Sequence, residues 1–256
     1  MMESDGAKVK SLAKALNLLE CFKSDTPELG ITQLSHMLNL NKSNVSNIVS
    51  TFEQVGYLEQ NPETGRYKLG LKLLEFSFII NERLGYQRMF HDIMQGLSKR
   101  LNAITYFAIY RQQQVFYLCN SYPPDEVYNY PFRNIMGECA PLYCTSLGKA
   151  MLAYLPQEDF EACLRLERVA YTDYTILEED TLRREILLTR QRGYSMDNLE
   201  HEYGIRCVGG PIFNPDNTLL GAMSVSSASF DFENRKELEE CVHQMKAAAR
   251  VMRERL

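Results

Sequence analysis

Residues 41–70, NKSNVSNIVSTFEQVGYLEQNPETGRYKLG, leave the chain few choices of fold. Val45, Ile48, Val49, Phe52 and Val55 recur at the i, i+3, i+4, i+7 spacing of a buried helical stripe, so the first half is a helix. Its other face carries Lys42, Ser43, Asn44, Ser46, Asn47, Ser50 and Thr51, mostly short hydrogen-bonding side chains that lower helix propensity. A merely solvated face would favour Glu and Lys, so this one is suited to touching a polar surface. Upstream, SLAKALNLLECF (11–22) spaces Leu12, Ala15, Leu16, Leu19 and Phe22 along one helical face, and TQLSHMLNL (32–40) supplies a second short helix. Asn39 suits a left-handed turn between the second and third helices, and Asn41 suits the N-cap of the third. Downstream, YLEQ (57–60) and RYKL (66–69) read as short strands about the turn PETG (62–65). Helix, helix-turn-helix and hairpin together make a winged helix.

A chain of 256 residues with 45% hydrophobic residues has room for one small and one medium domain. The most apolar run, LGLKLLEFSFIINERLG (69–85), is too short and too charged to span a bilayer, and no leader-like pattern opens the chain, which makes a cytoplasmic location and no membrane partner the expectation. Seven cysteines without a C-x-x-C pair argue for reduced thiols over a disulfide framework or zinc ribbon. The net charge of −5 gives no support to bulk nucleic-acid binding. Any DNA contact would therefore have to be local, with a few cations at chosen points and hydrogen bonds elsewhere.

Between Gly70 and Gly85 a helix is apolar on too many sides to stand uncovered, with Leu71, Leu73, Leu74, Phe76, Phe78, Ile79 and Ile80 all needing cover. A second chain or the remainder of its own chain would supply it. From Tyr86 the pattern changes to mixed elements: a helix over 87–101, strands over 104–110, 114–122, 207–213 and 219–227, and a last amphipathic helix over 233–256. Strand pairs joined by short turns predict an antiparallel sheet, and the whole is of α+β class.

Three segments of this second part could carry chemistry. In LLGAMSVSSAS (219–229), Ala222, Ser224 and Ser226 share one strand face, which either faces solvent, the reading that pattern alone favours, or floors a polar cavity. In CAPLYCTSLGKAMLAYL (139–155), Thr145 is the N-cap of a helix whose first amides, on Ser146 and Leu147, would favour an anion. DNLEHEYGIRC (197–207) reads as an acidic, solvated loop ending at Cys207. Asp197, His201 and Cys207 are also the residue types of a thiol enzyme or, with nearby acids, of a zinc site, although neither spacing fits a standard motif.

The chain resembles the IclR family of transcriptional regulators over nearly its whole length. The resemblance is carried by SLAKALNLLE, ITQLSHMLNLNKSNVSNIVSTFEQVGYLEQ and the wing NPETGRYKLG, then by TSLGKAMLAYLP (145–156) and GYSMDNLEHEYGIRCVGGPIFN (193–214). The last fits a signature of Gly, then Asp and Glu, then Cys and an apolar strand ending in Asn or Asp. It implies a winged helix-turn-helix domain (8–70), a linker helix (71–85) that packs in a dimer, and a GAF-like effector-binding and oligomerisation domain with an antiparallel sheet (86–256). The function it implies is a non-enzymatic, sequence-specific regulator without cofactor or bound metal, expected to repress a catabolic operon. Its partners would be double-stranded operator DNA, a small organic acid such as a sugar acid, and itself as homodimer or homotetramer. Lys42, Ser43, Asn44, Ser46 and Asn47 would face the major groove, with Arg66 and Lys68 of the wing at the backbone or minor groove. Where the family usually has a His-Arg pair, this sequence has Ser46 and Asn47; Asn pairs bidentately with adenine, so an operator richer in A·T is expected. In similar regulators the positions matching Ser146, Leu147, Asp197, Cys207, Ser224 and Ser226 hydrogen-bond the acid, and those matching Phe132, Ala140 and Ile205 form an apolar wall. A charged Asp197 would repel a carboxylate ligand, so it is expected to accept a hydrogen bond from a ligand hydroxyl, as in a hydroxy acid, a sugar acid or a hydrated oxo-acid.

Overall fold

The computed structural model describes residues 7–123 and 135–256; Phe132 lies outside them. The chain divides into two compact units, Met1–Leu84 and Gly85–Leu256.

The first unit holds α1 (Lys10–Leu19), α2 (Ile31–Leu38), α3 (Lys42–Gln54), β1 (Leu58–Gln60), β2 (Tyr67–Leu69) and α4 (Lys72–Leu84). Helix α2 stops because Asn39 adopts a left-handed conformation (φ 50, ψ 45), and α3 begins because the Asn41 carboxamide accepts the Asn44 amide at 3.0 Å. Such a cap contributes about 1 kcal/mol. Leu18, Leu34, Val45, Val49 and Leu58 close the core beneath the turn. Two expected stripes are redrawn. In α1, Leu12 and Leu16 are exposed and Leu18 is fully buried, because the helix ends at Leu19 and the chain then turns Cys21 and Phe22 inward. In α3, Val55 falls one residue past the helix end and is exposed as well. The hairpin β1–β2 pairs Leu58 with Leu69, and Leu29 adds a bridge to Tyr67 through two hydrogen bonds of 2.9 Å. The Glu28 carboxylate accepts from Asn61 Nδ2 at 3.0 Å and from Thr64 Oγ1 at 3.4 Å, which ties the wing turn to the connection between α1 and α2. Within α4 no residue is buried, and Leu74, Phe78 and Ile79 are each more than 60% exposed.

The second unit runs α5 (Tyr86–Leu101), β3 (Ile104–Arg111), β4 (Gln114–Ser121), β5 (Cys139–Ala140), α6 (Ser146–Leu152), α7 (Gln157–Leu164), α8 (Glu179–Arg192), β6 (Ser195–Asn198), β7 (Arg206–Phe213), β8 (Leu219–Ser227) and α9 (Arg235–Glu254). Its sheet has the order β5-β4-β3-β8-β7-β6, with every recorded pairing antiparallel. Alternation gives the sheet two faces. One carries Thr105 and Phe107, which meet Met94 and Phe90 of α5, together with Gly210 lying under Met245 of α9. The other carries Tyr106, Ala108, Gly209 and Ala222 and lies against α6. All seven residues of α6 are buried.

This seating requires glycine on the strand. A Cβ on Gly209 would stand 2.7 Å from the Ser146 carbonyl oxygen and 2.7 Å from Ser195 Oγ. Gly209→Ala is expected to destabilise the chain by about 1–3 kcal/mol through forced backbone displacement. Urea unfolding measures it, and an unchanged midpoint would mean that α6 does not press on β7.

Candidate nucleic-acid interface and effector site

On α3, Lys42, Ser43, Asn44 and Asn47 are exposed and Ser46 is half-buried, while Val45 and Val49 point into the core. Part of the polar face is engaged internally: Thr51 Oγ1 donates to the Asn47 carbonyl at 2.8 Å, and Ser43 Oγ lies 3.4 Å from the capping Asn41 oxygen. The Asn44 and Asn47 side chains have no such bond among the described residues and are open to solvent. In the wing Arg66 and Lys68 are exposed. They differ in how free they are. Lys68 faces Glu59 across the hairpin, with Nζ 3.5 Å from its carboxylate, whereas Arg66 forms no ion pair among the described residues.

In the second unit the strand register assembles residues that are far apart in sequence. Asp197, Cys207, Ser226 and Ile104 stand side by side across β6, β7, β8 and β3. Two residues along each strand, Ser195, Gly209, Ser224 and Tyr106 form the next row on the same face. Helix α6 closes over both rows. The Ser226 and Ser146 hydroxyls neighbour the Cys207 thiol, and Ser195 Oγ donates to the Ser146 carbonyl at 2.5 Å. Thr145 caps α6, its hydroxyl accepting the Gly148 amide at 3.1 Å, while the amides of Ser146 and Leu147 have no acceptor among the described residues. The rings of Tyr106 and Tyr117 meet edge to face at 5.7 Å beside Ser224.

Two readings of these segments are corrected. Ser224 and Ser226 are buried, at 1% and 6% exposure, because α6 covers the face that alternation alone assigned to solvent. Asp197 belongs to strand β6, and both it and Glu200 are buried, whereas Glu202, Tyr203 and Gly204 in the connection to β7 are exposed, so only that tip is a solvated loop. Asp197 Oδ1 accepts the Glu200 amide at 2.8 Å, fixing a turn that places Leu199 at φ 66. Burial, reinforced by the Glu200 charge, pushes the Asp197 carboxyl up to about 7, against the Glu200 and His201 amides and Lys149. Near neutral pH it is thus divided between acid and carboxylate, and it is no longer restricted to accepting from a hydroxyl.

Ala140 and Ile205 stand apart from this group. Ala140 is on β5, opposite Val115, at the other edge of the sheet from β6, and packs with Leu142 and Leu147. Ile205 is half-buried ahead of β7, two residues before Cys207. Enclosure pushes the Cys207 thiol well above its ordinary value, the opposite of an activated nucleophile. The His201 ring lies 5.0 Å from that of Tyr171. Among the described residues no group of three or more His, Cys, Asp or Glu is placed to hold a metal.

Sequence reasoning missed Lys149 and Glu200. Lys149 is fully buried on α6, with Nζ 2.5 Å from Glu200 Oε1 and 4.0 Å from Glu185 Oε1. The available signal was a single lysine inside the apolar run LGKAMLAYL, which calls for a buried partner.

Residues 82–253 match the family model of the C-terminal domain of bacterial IclR transcriptional regulators, and residues 11–62 match that of the IclR helix-turn-helix domain. The chain is 28% identical over 220 residues to the HTH-type transcriptional regulator XynR of Escherichia coli strain K12, covering 86% of each protein. With the regulator KdgR of the same strain it shares 28% over 243 residues, 94% of this chain and 90% of the relative. Among solved structures, the Thermotoga maritima IclR superposes with a TM-score of 0.74 at 26% identity over 96% of this chain and 98% of that one. An IclR homologue of Microbacterium hydrocarbonoxydans complexed with 4-hydroxybenzoate gives 0.82 at 21% identity over 96% and 98%. No described helix is long and apolar enough to cross a membrane. With both domains matched in order along the chain, and with a helix-turn-helix unit followed by an antiparallel α+β unit, this protein belongs to the IclR family of transcriptional regulators.

Proposed function

We propose that the chain is a cytoplasmic repressor of a catabolic operon, released from or retained on its operator by a small organic acid, a sugar acid being one fitting class. Residues 8–70 would bind DNA, 71–85 would link the domains and pair two chains, and 86–256 would bind effector and assemble the homodimer or homotetramer. Repression is supported by likeness to the transcriptional repressor IclR of Escherichia coli, 26% identical over 86% of this chain. The 4-hydroxybenzoate carried by one structural relative supports an acid as ligand. The observation that carries the effector reading is the buried row Asp197, Cys207 and Ser226 under the open amides of α6, a set of donors gathered where a core would place apolar groups. Ser146, Leu147 and Ser224 would complete the contacts, with Phe132, Ala140 and Ile205 contributing apolar surface. Pairing through α4 is supported by its uncovered Leu74, Phe78 and Ile79.

A thermal-shift screen of sugar acids, oxo-acids and aromatic acids tests the effector reading, since a ligand binding only the native state raises its melting temperature. Against an acid found this way, Asp197→Ala is expected to lose about 1.5–3 kcal/mol of affinity, roughly ten- to hundredfold, by calorimetry, with operator binding retained in a gel shift. Unchanged affinity removes Asp197 from the site. Asn47→Ala is expected to relax base preference at one position of each half-site by about 1–3 kcal/mol, while Arg66→Ala weakens all sequences alike and flattens the salt dependence. Footprinting titrations unaffected by both would exclude this docking. Ile79→Glu is expected to lower the mass in sedimentation equilibrium, and an unchanged mass would place the pairing elsewhere.

A further inference from the structure

We propose that Lys149 and Glu200 are positioning residues of the effector site, poising the Asp197 carboxyl between its charged and neutral forms so that an organic acid is received there together with a proton. This rests on the reading above that Asp197 meets an acidic effector. Its basis is the arrangement of charge behind the site. Lys149, rising from the interior of α6, lies between Glu200 and Glu185, and Arg192 sits on Glu185 at 2.6 Å. Glu200 then reaches Asp197 through its own amide, while its second oxygen, Oε2, is buried without a partner. Two cations, Lys149 and Arg192, thus serve three carboxyl groups, Glu185, Glu200 and Asp197. Both cations contact the glutamates, and none contacts the aspartate.

Three further titratable groups near Asp197 do not supply the missing charge. They are Cys207 on β7, Tyr117 on β4 and Cys144 ahead of α6, and burial raises all three, which keeps them neutral. One proton balances the cluster. Burial raises both Asp197, to about 7, and Glu200, and the proton is placed on Asp197 because Glu200 has Lys149 against it. An arriving carboxylate adds a negative charge beside Asp197 and so favours its protonated form. The proton comes from solvent, stays on an Asp197 oxygen and is donated in a hydrogen bond to the ligand carboxylate, with no covalent bond made or broken. Effector affinity then falls as pH rises through the Asp197 midpoint.

The test uses the full-length chain without any effector: a carbon-13 carboxyl NMR titration of the wild type, Glu200→Gln and Lys149→Met. Asp197 is expected to titrate near 7 in the wild type, lower in Glu200→Gln because a neighbouring negative charge is gone, and higher in Lys149→Met because the counter-charge is gone. An Asp197 midpoint in the ordinary carboxylate range, or one that does not move in Glu200→Gln, overturns the proposal. Should Lys149→Met not fold, Glu200→Gln, which keeps the shape of the side chain, decides it. A second reading comes from melting temperature against pH. The folded value lies above the 3.8 of an ordinary Asp, so the folded state holds a proton that the unfolded chain has released. The resulting destabilisation is absent below about 4, grows up to about 7 and is constant above, and Asp197→Asn is expected to reduce that slope, with Glu200, which burial also raises, contributing the rest. A slope undiminished in Asp197→Asn assigns the proton to another group and overturns the proposal. Because no effector is present in either measurement, their failure leaves the effector reading to the melting screen, and a failed screen leaves these titrations standing.

Discussion

Helix α6 has no exposed residue, and the architecture of the second unit follows from that constraint. A helix enclosed on all sides must find internal partners for every polar group it carries. Its cap is internal, through Thr145, and its Ser146 carbonyl accepts from Ser195. Its one cation takes the carboxylates of Glu200 and Glu185. The close approach this needs is available only because Gly209 and Gly148 lack side chains, the latter lying against the Leu142 carbonyl. What α6 leaves over, two amides without an acceptor among the described residues beside the buried Ser224 and Ser226 of β8, is what makes the place a candidate site.

Lys149 also shows why a buried ion pair belongs to specification more than to stability. Moving an ammonium and a carboxylate out of water costs several kcal/mol each, and their attraction returns that only with good geometry. Here the geometry is close at Oε1 and incomplete at Oε2. A well-packed apolar pair would serve the fold as well, so the ionic pair is better understood through what it does to its neighbour Asp197.

Much of the fold could be read from local pattern. Asn39, Asn41 and the spacing of Val45 and Val49 give the turn and the third helix, because turn and cap chemistry are local. The long strands β3, β4, β7 and β8 are also evident, being apolar runs between turns. The failures have physical causes. Leu12 and Leu16 look like a core stripe and are exposed, since period alone does not say where a helix ends or what lies opposite. Helices α7 and α8 are too charged to show a strong stripe. Strand β6 has four residues, two of them polar and buried, SMDN, and only its pairing with β7 reveals it. The candidate site residues Ser146, Asp197, Cys207 and Ser226 were nameable by resemblance, whereas Glu200 and Lys149 meet across fifty-one residues of chain, a distance no local pattern spans.

The wing is tied at its turn by the Glu28 carboxylate and at its second strand by the Leu29–Tyr67 bridge. A hairpin of three-residue strands is marginal by itself, and its tip would sample many conformations. With the turn held, the backbone around Arg66 has lost that freedom when the domain folds. The conformational entropy of ordering the wing is then spent before any encounter with a duplex, and only the Arg66 side chain remains to be immobilised on contact. If it enters a groove, as proposed, a wing of this kind would meet DNA as a preshaped probe of groove width, and a duplex of the wrong width would itself have to deform to accept it.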